Sequence, residues 1–249
     1  MSAKQSRRRA QKGIQHLRAL DSSHLSENFV TNFRIQQPYE LRPVHKQFLD
    51  LIQHDDTNLI FVSGPSGTAK TFLSVLGGLM LLSNKEVEKI VYIRSIVESA
   101  SKSLGSLPGE VDEKFFPWSL PLYDKLDEIV DPAVKQSLID NQLIKCLPVN
   151  FARGLTFHNS FVIIDEAQNL TEQELITVLT RFGDKTKYVI VGDEAQSDIN
   201  GRSGFRKIKH KFKDEKYPEN GIHTLKFEKT EVVRSKILQL IIEVLEVEG

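Results

Sequence analysis

Cysteine is almost absent: Cys146 stands alone among 249 residues. The chain cannot close a disulfide on itself, which suits a reducing compartment. An unpaired thiol reads most simply as a small apolar core residue. Long apolar runs are missing too. No stretch approaches the roughly 20 residues of a membrane-spanning helix, and the N-terminus has no apolar centre of a secretion signal. The expectation is a soluble, cytoplasmic protein with no membrane partner. Net charge is also absent, because Lys plus Arg and Asp plus Glu number 33 each. Total charge therefore singles out no class of partner, and only its distribution can. Finally, His45, His54, His158, His210 and His223 keep no metal-ligand spacing with Cys146, so no zinc is expected.

What the chain does have is apolar content, 40%, sufficient for one sizeable core but at a length too short for two full helicase-type domains. Residues 1–38 read as a basic N-terminal tail and residues 39–249 as one domain. In the tail, Lys4, Arg7, Arg8, Arg9, Lys12 and Arg18 all precede the first acid, Asp21. Such an arm attracts nucleic-acid phosphates by counterion release, and it serves equally well to keep a protein soluble. From Leu41, residues Val44, Phe48, Leu51 and Ile52 recur at helical spacing, with Pro43 suited to a first turn. Apolar runs then alternate with helical stretches. Strands are predicted at 58–62, 89–93, 161–164, 188–191 and 222–227, and helices at 71–82, 171–181, 204–213 and 232–245. Runs that are apolar throughout and separated by helices imply an α/β fold, a parallel sheet covered on both faces. Residues 98–150 break the rhythm. There Gly105, Pro108, Gly109, Pro117, Pro121, Pro132 and Pro148 predict an insertion of loops and short helices.

Chemistry gathers where the apolar runs end. The first leads into Gly64-Pro65-Ser66-Gly67-Thr68-Ala69-Lys70-Thr71 and then a helix. In a phosphate-binding loop, glycines let backbone N–H groups wrap the phosphates, a lysine contacts the outer ones, and a hydroxyl holds magnesium. Gly64, Gly67, Lys70 and Thr71 supply those parts. Ala69 stands where a second signature glycine belongs. At negative φ, alanine favours a helix by up to about 1 kcal/mol over glycine, whereas a left-handed φ costs roughly 1–2 kcal/mol. Negative φ is therefore expected.

The third apolar run delivers Asp165 and Glu166 to the carboxyl edge of the sheet, where open α/β sheets place ligands. Two acids there suit a division of labour: Asp165 orients magnesium and its water, and Glu166 polarises the attacking water. Acids that merely begin a helix after a strand leave the same trace. The fourth run brings Asp193 and Gln196 to that edge, where Gln196 would sense a γ-phosphate or position water. Three such motifs in this order fit a P-loop NTPase using ATP and Mg2+.

The chain resembles the PhoH-like family, named for a phosphate-starvation-inducible protein and similar in its motifs to the ATPase core of superfamily-1 helicases. The resemblance runs from about Tyr39 to the last helix. It rests on GPSGTAKT, VYIRSIVES, LGSLPGEVDEK, PLYDKL, FARGLTFHNSFVIIDEAQN, VIVGDEAQSD and EVVRSKILQLI. Departures are Ala69 for glycine, Ser95 where the family usually has proline, and His158. The resemblance implies a RecA-like fold with ATPase activity and links to RNA helicase activity and RNA metabolism. By the helicase analogy, Gln47 would contact adenine and Arg234 would act as an arginine finger, in cis or across a subunit boundary in a ring such as a hexamer. A surface pairing of Arg234 with Glu231 remains equally open, as does a phosphate or subunit contact for Arg153. Some members carry a fused PIN-type nuclease; with only about forty residues ahead of the core, none is expected here.

For an RNA or single-stranded partner, a second basic cluster holds Arg206, Lys207, Lys209, Lys211 and Lys213, although a solvated helix face is the simpler account. Phe115, Phe116 and Trp118 suit base stacking or, more simply, a core. Two other classes remain beside a helicase-like ATPase: a P-loop kinase, and a binding module that holds nucleotide as a signal with little turnover.

Overall fold

The computed structural model of the chain describes residues 33–37, 40–95, 111–197, 199 and 201–233. Residues 1–32 and 38 of the basic tail, the LGSLPG motif, Arg234 and the helix expected at 232–245 lie outside them, Val232 and Val233 excepted, as do the side chains of Phe115 and Phe116. The chain divides into two units, Met1–Val30 and Thr31–Gly249, and every described residue falls in the second.

The first element, α1 (Pro43–Gln53), starts with Pro43 in its first turn, as predicted, and buries Phe48, Leu49 and Ile52. It leads to β1 (Leu59–Ser63), α2 (Lys70–Ser83) and β2 (Lys89–Arg94). Next come α3 (Val111–Ile129), α4 (Pro132–Asp140), β3 (Ile144–Pro148) and β4 (Ser160–Asp165). The remainder is α5 (Glu172–Leu179), β5 (Lys187–Gly192), α6 (Phe205–Lys211) and β6 (Ile222–Lys226). The strands form one six-stranded sheet in the order β3-β2-β4-β5-β1-β6. All five pairings are parallel.

Every residue of β1 and of β4 is buried, which is what a parallel strand covered on both faces requires and why these runs are apolar without alternation. Helix α2 packs on β2, β4 and β5 and against α1. Its paired glycines allow that closeness, since a Cβ at Gly77 would fall 2.7 Å from Ile52 and one at Gly78 2.6 Å from Phe161. The usual helix penalty of glycine, about 1 kcal/mol, is offset by burying α2 almost entirely.

The region between β2 and β4 departs from expectation. Among the described residues it holds a short helix, α4, as expected, but also a 19-residue helix, α3, containing both Pro117 and Pro121, and a strand, β3. Each proline removes one intrahelical N–H bond. Leu122, Leu126 and Ile129, all 0% exposed, recur at i, i+4 and i+7 and anchor the helix through packing. Among the described residues strand β3 has β2 as its one neighbour, and its half-buried Lys145 and Cys146 interrupt the apolar run that would have announced it. Burial pushes the Cys146 thiol up to about 12, which disfavours the thiolate. Among the described residues no helix is long and apolar enough to cross a membrane.

Candidate nucleotide site

Parallel strands point their carboxyl ends the same way. Here Ser63 is in register with Gly192, and Arg94 with Asp165. The segments that follow converge on a cavity of about 200 Å³. Of the residues predicted from sequence, Ser66, Gly67, Thr68, Ala69, Lys70 and Thr71 line it, together with Asp165, Glu166, Asp193 and Gln196. Gln47 does not; it is exposed on α1, beside a shallow groove with Pro43, Lys46 and Leu51. Arg153 is exposed and outside the cavity.

The loop opens with Gly64, whose close approach to the next layer excludes a side chain: a Cβ would meet the Phe227 carbonyl oxygen at 2.6 Å. The Phe227 N–H in turn donates to the Ser63 carbonyl at 2.7 Å, and the Val233 N–H to that of Gly67 at 3.2 Å. The segment from Phe227 to Val233 therefore runs alongside the loop. Thr68, fully buried, donates its hydroxyl to the Pro65 carbonyl at 2.8 Å.

Ala69 contradicts its expected conformation, since its φ of 63° and ψ of 18° are left-handed. The reason is its place in the helix. As the N-cap it lies outside α2, so the helical preference that argued for negative φ does not apply. Gly67, at φ 80°, carries one left-handed turn, but reversing a strand into a helix here takes a second. The strain amounts to about 1–2 kcal/mol, and the Ala69 carbonyl still accepts from the Leu73 N–H at 2.9 Å.

Lys70 arches back over the loop, its ammonium donating to the Gly64 and Pro65 carbonyls at 2.7 Å each. Burial lowers its pKa, opposed by the charges of Asp193, Asp165 and Glu166. Asp165 is 3% exposed and accepts the Thr71 hydroxyl at 3.0 Å on one oxygen and the Tyr92 hydroxyl at 2.5 Å on the other. Burial and the adjacent Asp165 charge hold the Tyr92 phenol well above its ordinary pKa, so it stays a donor.

Glu166 is also left-handed, at φ 52° and ψ 41°, an uncommon conformation for a non-glycine residue and one that clusters at functional sites. Burial and the charge of Asp165 raise its pKa, against Arg94, Gln168 and Lys70. Its two oxygens are held separately. Arg94, at the end of β2, lies 3.7 Å from Oε1, and the Gln168 side-chain amide donates to Oε2. The Gln168 carbonyl oxygen accepts the Asp193 N–H at 3.0 Å, so this one amide ties the β4 end to the β5 end.

Behind the loop, Lys209 is 6% exposed. It donates to the Ser63 hydroxyl and, at 2.7 Å, to Glu194. Burial pushes the Glu194 carboxyl up, but the Lys209 hydrogen bond and charge outweigh it and hold the pKa below the ordinary value. This corrects the reading of the second basic cluster. Lys209 is interior, Lys211 pairs with Glu172 at 2.8 Å, and Arg206 reaches Glu194 at 4.0 Å, so α6 presents less free positive charge than its sequence suggests.

The donors at the cavity suit a magnesium ion. Thr71 Oγ1 and the Asp165 carboxylate would offer it hard oxygens, and Asp193 Oδ2 is buried with no hydrogen-bond partner. Among the described residues no group of three or more His, Cys, Asp or Glu gathers.

A parallel sheet whose β1 runs through a glycine-containing turn into a helix, with the β4 acid bonded to that helix's first hydroxyl, is the α/β fold of a P-loop NTPase. The family model for PhoH-like protein matches residues 41–246. A PhoH-like protein of Synechocystis is 36% identical over 203 residues, covering 81% of this chain and 60% of that protein. Another, of Bacillus subtilis, is 35% identical over 200 residues, covering 80% of this chain and 60% of that one. Protein PhoH2 of Thermobispora bispora is 34% identical over 151 residues, 60% of this chain and 35% of its own length. The chain belongs to the PhoH-like family, and it spans at most 60% of the length of these curated relatives.

Sequence reasoning passes over Tyr92, Gln168, and the cavity-lining Lys125 and Glu128 of α3, and it places Lys209 on a basic surface. Gln168 stands two residues after Glu166 and is within reach of a motif reading. Tyr92 is visible only once β2 and β4 are known to be neighbours, because it is paired with Ile163, two residues before Asp165.

Proposed function

We propose that the chain is a magnesium-dependent ATPase that couples hydrolysis to work on RNA or another single strand, assembled as an oligomer such as a ring. The observation that supports this most is one cavity lined jointly by Lys70, Thr71, Asp165, Glu166 and Asp193. In the proposed reaction, Glu166 accepts a proton from a water whose oxygen bonds to the γ-phosphorus. The bond from phosphorus to the β–γ bridging oxygen breaks, releasing ADP and phosphate. Lys70 stabilises charge on the departing phosphates. Thr71 and Asp165 would hold magnesium, which when bound would neutralise the β- and γ-oxygens. Tyr92 keeps the Asp165 carboxylate oriented, Gln168 does the same for Glu166, and Gln196 positions water or senses the γ-phosphate. The adenine contact of Gln47 and the arginine-finger role of Arg234 enter the proposal from the family resemblance alone.

Phosphate release from ATP and Mg2+, measured with and without single-stranded RNA or DNA, tests the reading. Release stimulated by polymer is expected. Transfer of label to an acceptor would indicate a kinase, and tight nucleotide binding without release would indicate a signalling module. As a site control, Lys70→Ala should lower turnover by roughly 10²-fold or more through lost charge stabilisation; unchanged release would refute the assigned loop.

A further inference from the structure

One cation at the cavity comes from neither the loop nor the sheet. Leu122, Leu126 and Ile129 define the core face of α3. A residue one position before Leu126 points about 100° round the helix. That residue is Lys125, and it emerges where the core face meets the cavity, lining it beside Lys70. Glu128, one turn on, lines it as well. The Lys125 ammonium donates to Asp124 at 2.7 Å and to Glu128, and its side chain is 16% exposed. Burial alone would lower its pKa, but these two carboxylates outweigh that and raise it, so the group is charged. Among the described residues, Lys70 and Lys125 are the lysines that line the cavity, and Lys70 is occupied with the loop carbonyls.

The geometry points to Lys125 as a second phosphate-binding cation, supplied by α3 within the same chain, that touches the terminal phosphate of a bound nucleoside triphosphate. The inference rests on the nucleotide reading of the cavity. A terminal phosphate carries three outer oxygens over which its charge is spread during transfer, more than one lysine can satisfy. Lysine, a point charge on a flexible four-carbon stem, can leave its carboxylate partners for a doubly charged phosphate without moving the helix. Asp124 and Glu128 serve as the holding position. The contact moves no proton; the ammonium donates hydrogen bonds to phosphate oxygens throughout. It would provide in cis some of the charge stabilisation that a helicase core draws from an arginine elsewhere.

The test compares equilibrium binding of ATP and of ADP, each with Mg2+, to the full chain and to Lys125→Met and Lys125→Arg. Loss of one charge-assisted contact should weaken ATP roughly tenfold in Lys125→Met while ADP stays within about twofold, and Lys125→Arg should recover part of the difference. Phosphate release should fall roughly 10²-fold in Lys125→Met. Lys125→Gln, which keeps the polar stem without charge, repeats the test if the methionine variant does not fold. Lys135→Met, on α4 and paired with Asp127, should change neither affinity. ATP and ADP affinities that fall together, or an ATP affinity that stays at the wild-type level in a neutral variant, would overturn the inference. If the wild-type chain binds ATP but releases no phosphate, the hydrolytic reading fails, while the ATP-over-ADP preference still decides the role of Lys125.

Discussion

On the floor of the cavity, Asp165 is gripped by hydroxyls from Tyr92 and Thr71, partners 73 and 94 residues away in sequence. On its rim, Lys125 is held by Asp124 and Glu128, within one turn of its own helix. The floor contacts exist only when the whole sheet has formed, so each reports on the rest. The rim contacts would form on an isolated helix, which leaves them free to exchange for a ligand. Floor substitutions should therefore be costly and coupled, and rim substitutions mild for folding but specific for ligand.

The sharpest way to break this contrast is Glu166→Gln. It should lower hydrolysis roughly 10²-fold or more, about 3 kcal/mol, while ATP remains bound. Because the Glu166 pKa is raised, activity should fall as pH drops through a value above the ordinary glutamate range of about 4.3. Below that pH the base is protonated and unable to accept; above it the carboxylate is free. A pH profile of phosphate release with no acidic limb there would remove Glu166 from the role of base.

Next in size are the ion pairs. Glu194→Gln removes the negative charge facing the buried Lys209 ammonium, leaving a neutral amide oxygen and Ser63 as acceptors, and should destabilise by about 2 kcal/mol, less than loss of a fully buried pair because Glu194 is about one-third exposed. Asp124→Asn on the rim should shift stability by no more than about 0.5 kcal/mol. Denaturant unfolding of the two variants side by side would erase the distinction if their losses matched. Ala69→Gly should relieve the left-handed strain and stabilise the chain by about 1 kcal/mol, read as a rise in the denaturation midpoint. Last is Gln47→Ala, read on affinity and not on stability. An exposed side chain outside the cavity should contribute at most about 1 kcal/mol to ATP affinity, and a larger loss would require the nucleotide to reach across to α1.

The floor is partly legible in the amino-acid order because its chemistry follows apolar runs: Lys70 and Thr71 after 59–63, Asp165 and Glu166 after 160–164, Asp193 after 187–192. A run of buried strand residues announces where the sheet edge is, and local order does the rest. Tyr92 and Lys209 are not legible in this way. One looks like an ordinary strand aromatic and the other like part of a solvated basic helix until topology brings Asp165 and Ser63 against them. Pro117 and Pro121 mislead over α3, because burial of Leu122, Leu126 and Ile129 outweighs the two lost backbone bonds. Ala69 misleads through its position: one residue further along it would be helical.

Strand β1, which carries the anion loop, is flanked by β5 and β6, both encoded more than a hundred residues later. A chain emerging from the ribosome thus exposes Leu59–Val62 with no lateral partner until Lys187–Gly192 has been synthesised, and with one edge still open until Ile222–Lys226 follows. Until then the cell holds an aggregation-prone hydrophobic ribbon, and nucleotide has no finished cradle to enter.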